Sequence, residues 1–179
     1  MKDLKDFNIA FVGLKKGSHL FKYQISKKFF EAYSFNDFND CEVLATVNLV
    51  KKDSLLELDF DIKGVVNVPC DLTTEVFNQE INGHLHLIVK FGHEFNNDND
   101  EVLIIPHKEH QINVSQYIYE LIILSVPKKR VHPKVLDGTM ESKTLERLEE
   151  LKIKENSSEK EQNSTDPRWD KLKDLLTDK

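Results

Sequence analysis

The amino-acid sequence predicts an α+β domain: an antiparallel β meander or partial barrel covered by one main helix, with a helical and disordered C-terminal tail. Three observations predict it. Residues 43–91 alternate apolar and polar side chains over long stretches, the signature of half-buried strands. A single well-bounded amphipathic helical run follows at 113–126. Beyond residue 136 apolar residues thin out among charges.

Taken in order, residues 7–12 are apolar enough for a first strand. Residues 13–18 read as a turn, with Gly13 and Gly17 as its permissive points. Residues 19–25 alternate again. Ser26 is placed to cap a short helix reaching Tyr33, in which Phe29, Phe30 and Tyr33 share one face. Val43, Ala45, Val47 and Leu49 then fall on one face of a strand, and residues 51–54 form a polar turn. Leu56, Leu58, Phe60 and Ile62 alternate with Glu57, Asp59, Asp61 and Lys63, and Gly64, Val66, Val68 and Cys70 keep the buried parity. A further strand is expected at 74–81. Asn82-Gly83 signals a hairpin turn, because both residues tolerate positive φ. After it Leu85, Leu87, Val89 and Phe91 alternate with His84, His86, Ile88 and Lys90. Residues 96–101 are polar and acidic and predict a surface loop, and residues 102–105 predict a short strand stopped by Pro106.

The main helix has clear limits. Asn113 is the expected N-cap, Gln116 its capping-box partner, and Ile112 with Tyr117 the hydrophobic staple. Val114, Tyr117, Ile118, Leu121, Ile122 and Ser125 share one face, and Pro127 ends the run. The β-rich domain is thus placed at 1–136. A marginal helix on Leu145, Leu148 and Leu151 is expected at 137–153. Residues 154–165 bury too little to offset ordering entropy, so a disordered linker is expected there. At 166–179 Asp166 can cap, Pro167 suits the first helical position, and Trp169, Leu172, Leu175 and Leu176 form one apolar face. This short helix serves either as a clasp onto its own domain or as a partner-binding element.

At 179 residues the chain is one domain with appendages, and 39% hydrophobic residues allow a core. Charged residues reach 31%, against roughly 25% in ordinary domains. The formal net charge is -6, so any nucleic-acid contact needs a local basic patch. No run approaches the ~20 apolar residues of a membrane span. Residues 1–6 lack the features of a signal peptide, and Cys41 and Cys70 are too few for a disulfide framework. A cytoplasmic location is therefore expected.

Catalytic signatures are missing. There is no phosphate-cradling glycine loop, no G-x-S-x-G and no H-E-x-x-H, so the expectation is a binding protein, with no enzyme activity and no cofactor. His84 and His86 share one side of a strand at a chelating spacing. A third ligand is not evident, so they read as exposed imidazoles, as do His107 and His110, and no metal is expected. Cys70 reads as a small buried hydrophobe and Cys41 as a strand-edge thiol. Two basic stretches stand out. Lys15, Lys16, Lys22, Lys27 and Lys28, with His19, occur without an acid and are interleaved with Phe21, Tyr23, Phe29 and Phe30. The second is Lys128, Lys129, Arg130, His132 and Lys134. Basic side chains beside aromatics can hold a phosphate backbone and stack bases. The alternative is a solvated, aggregation-resistant edge with the aromatics in the core.

Seven ordered segments carry a resemblance: residues 11–17 (FVGLKKG), 62–64 (IKG) with 68–71 (VPCD), 89–92 (VKFG), 101–104 (EVLI), 112–120 (INVSQYIYE), 130–133 (RVHP) and 166–170 (DPRWD). Together they resemble the YceD family, in its Bacteroidota-type branch, whose members are associated with accumulation of large-subunit ribosomal RNA. Relatives commonly show a C-x-x-C pair where this chain has Cys70-Asp71-Leu72-Thr73, so Thr73 removes a two-cysteine half-site. The resemblance implies a non-enzymatic ribosome-biogenesis factor supporting 23S ribosomal RNA accumulation and large-subunit assembly. Its implied partner is large-subunit RNA or a pre-ribosomal particle, with Lys15, Lys16, Lys128, Lys129, Arg130 and His132 as candidate contacts. A second reading is an adaptor that binds a ribosomal protein or assembly factor through the sheet and the C-terminal helix. A third, a metal-dependent hydrolase of RNA, needs His84, His86, His107 and His110 to converge.

Overall fold

A computed structural model describes residues 4–99, 101–140 and 142–151. The expected linker at 154–165 and the expected helix carrying Trp169, Leu172, Leu175 and Leu176 lie outside the described residues. Contacts divide the chain into residues 1–142 and a second unit from 143 onward.

The alternating runs build the first unit. Strands β2 (Gly17–Ser26), β3 (Asp40–Lys51), β4 (Leu55–Pro69) and β5 (Val76–Gly92) pair in succession, each antiparallel to the last. Strand β7 (Val102–Pro106) joins β5 in parallel, and β6 (Asn96–Asn99) closes the far edge against β7. The sheet is open, in the order β2-β3-β4-β5-β7-β6. Strands β1 (Asn8–Ala10) and β8 (Gln111–Asn113) form a separate two-stranded sheet. One face of the large sheet is the core: Val43, Val47, Leu49, Leu56, Leu58, Val66, Val68, Leu87 and Val89 are wholly buried. Helix α2 (Ser115–Ser125) packs against β5 and β4, with Ile118, Leu121 and Ile122 buried. The short helix α1 (Lys27–Glu31) adds Phe29 and Phe30. The α+β class, the antiparallel-dominated sheet and the main helix all match the expectation from the sequence.

Four local readings are corrected. Asn82-Gly83 makes no turn: the strands expected on either side of it are one 17-residue strand, β5. Strand β4 supplies partners throughout, with Lys63 opposite Asn82 and Ile62 opposite Gly83. Non-local pairing therefore outweighs the local turn preference. Glycine is needed at 83 for a different reason. A Cβ there would collide with the Ser125 hydroxyl and lie 3.0 Å from Leu121 Cδ1, so Gly83 lets α2 approach the sheet. The real reversal is at residues 70–75, where Thr74 takes a positive φ of 62°. Second, the polar stretch expected as a loop contains the exposed edge strand Asn96–Asn99.

The helix caps also differ. Ser26 sits at the N-cap of α1 without a side-chain capping bond, and the helix ends at Glu31. Helix α2 begins at Ser115 with Val114 at the cap. Asn113 belongs to β8, where its Nδ2 donates to Asn8 Oδ1 and to the Leu4 carbonyl. Its Oδ1 accepts from the Ser115 amide at 3.0 Å, so it supports the first turn from one residue further out. Gln116 bonds forward to Glu120 at 2.9 Å, and no capping box forms.

Helices α3 (Pro133–Leu136) and α4 (Lys143–Leu151) follow. None of the α4 side chains is buried, and Leu148 and Leu151 are exposed. None of the described helices is long and apolar enough to cross a membrane.

Two outcomes follow from the core. A Cβ on Gly64 would clash with the Glu42 carbonyl and lie 2.5 Å from Val43 Cα, both backbone atoms that cannot turn aside. Gly64→Ala should therefore cost about 1–3 kcal/mol, more than Gly83→Ala, where side chains can rotate. Urea midpoints measure the order. Cys41 is buried in β3, and burial, with the Asp40 charge behind it, pushes its thiol up to about 12. Its folded value is raised, so it has no effect on stability below the ordinary thiol value of 9.0. Above that, the unfolded chain ionises while the folded one does not. Stability should fall by up to about 1.4 kcal/mol per pH unit between 9 and 12. Burial shifts Tyr23, Tyr33 and Tyr117 in the same direction from their ordinary value of 10.0. Cys41→Ala should remove one proton's share of the slope in denaturation curves taken across that range.

Candidate nucleic-acid interface

Strand parity leaves the sheet face opposite α2 polar. Leu20, Lys22 and Gln24 of β2, Leu44 of β3, Asp61 and Lys63 of β4, and His84 and His86 of β5 are exposed on it. Register places His84 opposite Asp61 and His86 opposite Asp59. Each pair closes, with Nδ1 to Oδ1 distances of 2.9 and 2.6 Å. The imidazoles thus have carboxylate partners across the strands. No group of three or more metal-ligating side chains is placed to hold an ion among the described residues.

Lys15 and Lys16 lie apart from the second basic stretch. Lys15 and Lys16 are exposed in the loop before β2, and Lys16 pairs with Asp53 in the turn that leads into β4. Lys51 holds this loop. Its Nζ donates to the carbonyls of Phe11 at 2.8 Å, Leu14 at 2.9 Å and Val12 at 3.3 Å. The second stretch leaves α2 and meets the turn after β4. Lys15 and Lys16 are therefore separated from it by the 15 residues of β4, roughly 45 Å of strand. Lys27 and Lys28, by contrast, follow Ser26 at the opposite end of β2, which pairs through Glu42 with Val65 near the close of β4. The aromatics interleaved with the first stretch turn inward. Phe29 and Phe30 are buried, and Tyr23 stacks on Phe7 at 4.9 Å.

Within the second stretch the roles divide. The Arg130 amide donates to Asp71 Oδ2 at 2.7 Å, its guanidinium lies 3.4 Å from Asp71 Oδ1, and the Asp71 amide donates back to the Arg130 carbonyl at 2.8 Å. His132 Nδ1 accepts from the Lys134 amide and caps α3, while its ring packs 5.3 Å from Phe77. Arg130 and His132 therefore tie the segment to the turn after β4. Lys128 and Lys129 point outward, with no ion pair among the described residues.

The same turn holds Cys70, which is buried as expected. Burial alone would raise its thiol. Hydrogen bonds from the amides of His132, at 3.3 Å, Leu72 and Thr73 outweigh burial and hold it below the ordinary value. The Thr73 hydroxyl acts in the same sense, yet no partner lies within its hydrogen-bond geometry. We therefore attribute the lowering mainly to the amides. Thr73 stands where the second cysteine of a C-x-x-C pair would be.

A cavity of about 570 Å³ opens elsewhere, between the β1–β8 sheet, β7 and the start of α2. Buried Leu103, Ile105 and Ile112 line it. A polar chain crosses its wall: Tyr33 donates to Ser115 Oγ at 2.8 Å, Ser115 to Asn113 Oδ1, and Asn113 to Asn8. Sequence patterns did not reveal this cavity, because its residues come from five separate stretches of chain.

A scan against protein-family models matches residues 58–176 to the family described as large ribosomal RNA subunit accumulation protein YceD. No curated protein and no solved structure gives a match.

Proposed function

The chain belongs to the YceD family, and from that premise we propose that it acts as a non-enzymatic ribosome-biogenesis factor that binds large-subunit RNA or a pre-ribosomal particle. The family description supports a role in accumulation of large-subunit ribosomal RNA. The observation that carries the RNA reading is the division of labour at 128–132. Arg130 and His132 fix the backbone, and Lys128 and Lys129 stand outward on that fixed support. Preorganised cations lose less entropy on meeting a phosphate backbone than cations on a loose loop. This stretch lies inside the family match and Lys15 and Lys16 lie outside it, so we rank the second patch first.

The adaptor reading draws support from the sheet face opposite α2, where Leu20 is 60% and Leu44 41% exposed. Removing residues 166–179 separates the two. Loss of a protein partner with RNA binding intact favours the adaptor.

The direct test is equilibrium binding to large-subunit RNA fragments over a range of salt. Lys128→Glu combined with Lys129→Glu should weaken binding and reduce the slope of log K against log salt by about two. Unchanged affinity together with an unchanged slope would refute the assignment.

A further inference from the structure

The cavity beside the β1–β8 sheet differs in chemistry from both lysine patches. Its floor is apolar, and its rim is rich in carboxamides. Asn113 is fully engaged within the wall. Asn97 accepts from the Tyr117 hydroxyl at 3.5 Å, and among the described residues neither its Nδ2 nor the Gln111 side chain has a partner. Among the described residues no lysine or arginine lines the cavity, and Glu109 is the one charged group there. A phosphate would find no cation among those residues. A purely aliphatic ligand would leave the amides unpaired, at a cost.

One further side chain narrows the ligand. Phe95 lines the same cavity and is 64% exposed. It is the one aromatic among the exposed large hydrophobics of the described residues, and no other ring there contacts it. The other rings of the cavity are occupied: Tyr117 lies 5.8 Å from Phe60, and Tyr33 stacks on Tyr119 at 4.1 Å. An exposed, unpartnered ring beside uncommitted amides suits a flat heterocycle with apolar faces and a hydrogen-bonding edge. Unpaired RNA bases are recognised in this way, stacked on an aromatic and bonded along the edge.

We propose that this cavity receives one unpaired nucleobase, stacked on Phe95, with its edge bonded by Asn97 and Gln111. The proposal rests on the RNA reading above but uses a separate surface. Lysines hold the backbone and the cavity takes the base.

The test uses the full chain and a single-stranded fragment of large-subunit RNA. Phe95→Ala should weaken binding roughly 5- to 150-fold, the range for loss of one base–aromatic stack, with the salt slope unchanged. Phe95→Trp should restore it, which a merely structural role would not require. Free nucleosides, which carry no phosphate, should saturably shift the side-chain amide NMR signals of Asn97 and Gln111. If Phe95→Ala binds like wild type while the lysine reversals lose affinity, the base site is wrong and the RNA reading stands. If wild type binds no RNA, the RNA reading fails, and the nucleoside titration alone decides the cavity: saturable shifts support it and their absence overturns it.

Discussion

The ladder between β4 and β5 is the interaction on which the rest of the structure depends. It runs unbroken from Leu55 opposite Lys90 to Pro69 opposite Val76. Because side chains alternate with a period of two, this register decides which residues of both strands enter the core. It brings Asp59 and Asp61 opposite His86 and His84 on the open face. It also sets the reversal at 70–75, which positions Cys70 and Asp71 to bind the chain as it leaves α2. A slip of one residue would break the core and the support of Lys128 and Lys129 together.

Two glycines let that ladder coexist with its neighbours. Gly64 allows β3 to approach β4 at the backbone, and Gly83 allows α2 to settle on β5. The helix is held at its other end by the network of Asn113, Ser115 and Tyr33. That network borders the cavity, so the element that covers the core also shapes one side of the proposed base site.

Much of this was legible in the sequence because burial in a sheet leaves a period-two record. Val43 to Leu49 and Leu56 to Ile62 displayed it without ambiguity, as did the face of α2. Asn82-Gly83 misled because its turn signal is local, whereas the pairing that overrides it comes from residues 62 and 63. Lys51 was illegible for a related reason. Its three carbonyl partners lie 37 to 40 positions away, and a lysine at a strand end carries no mark of such contacts. Phe95 and Gln111 likewise look like ordinary loop and strand residues until the fold sets them around one cavity. The basic stretches were legible as charge, but the separation of Lys15 and Lys16 from the second stretch along β4 and the inward turn of the first stretch's aromatics were not.

The proposed role has this chain act on the large ribosomal subunit through contact with its RNA. Sedimentation of cell extract resolved by particle size tests it most directly. At low salt the protein should travel with large-subunit precursors, and raising the salt should release it, as electrostatic contact to RNA requires. If it stays at the top of the gradient at low salt while precursors are abundant, it does not act through contact with large-subunit RNA.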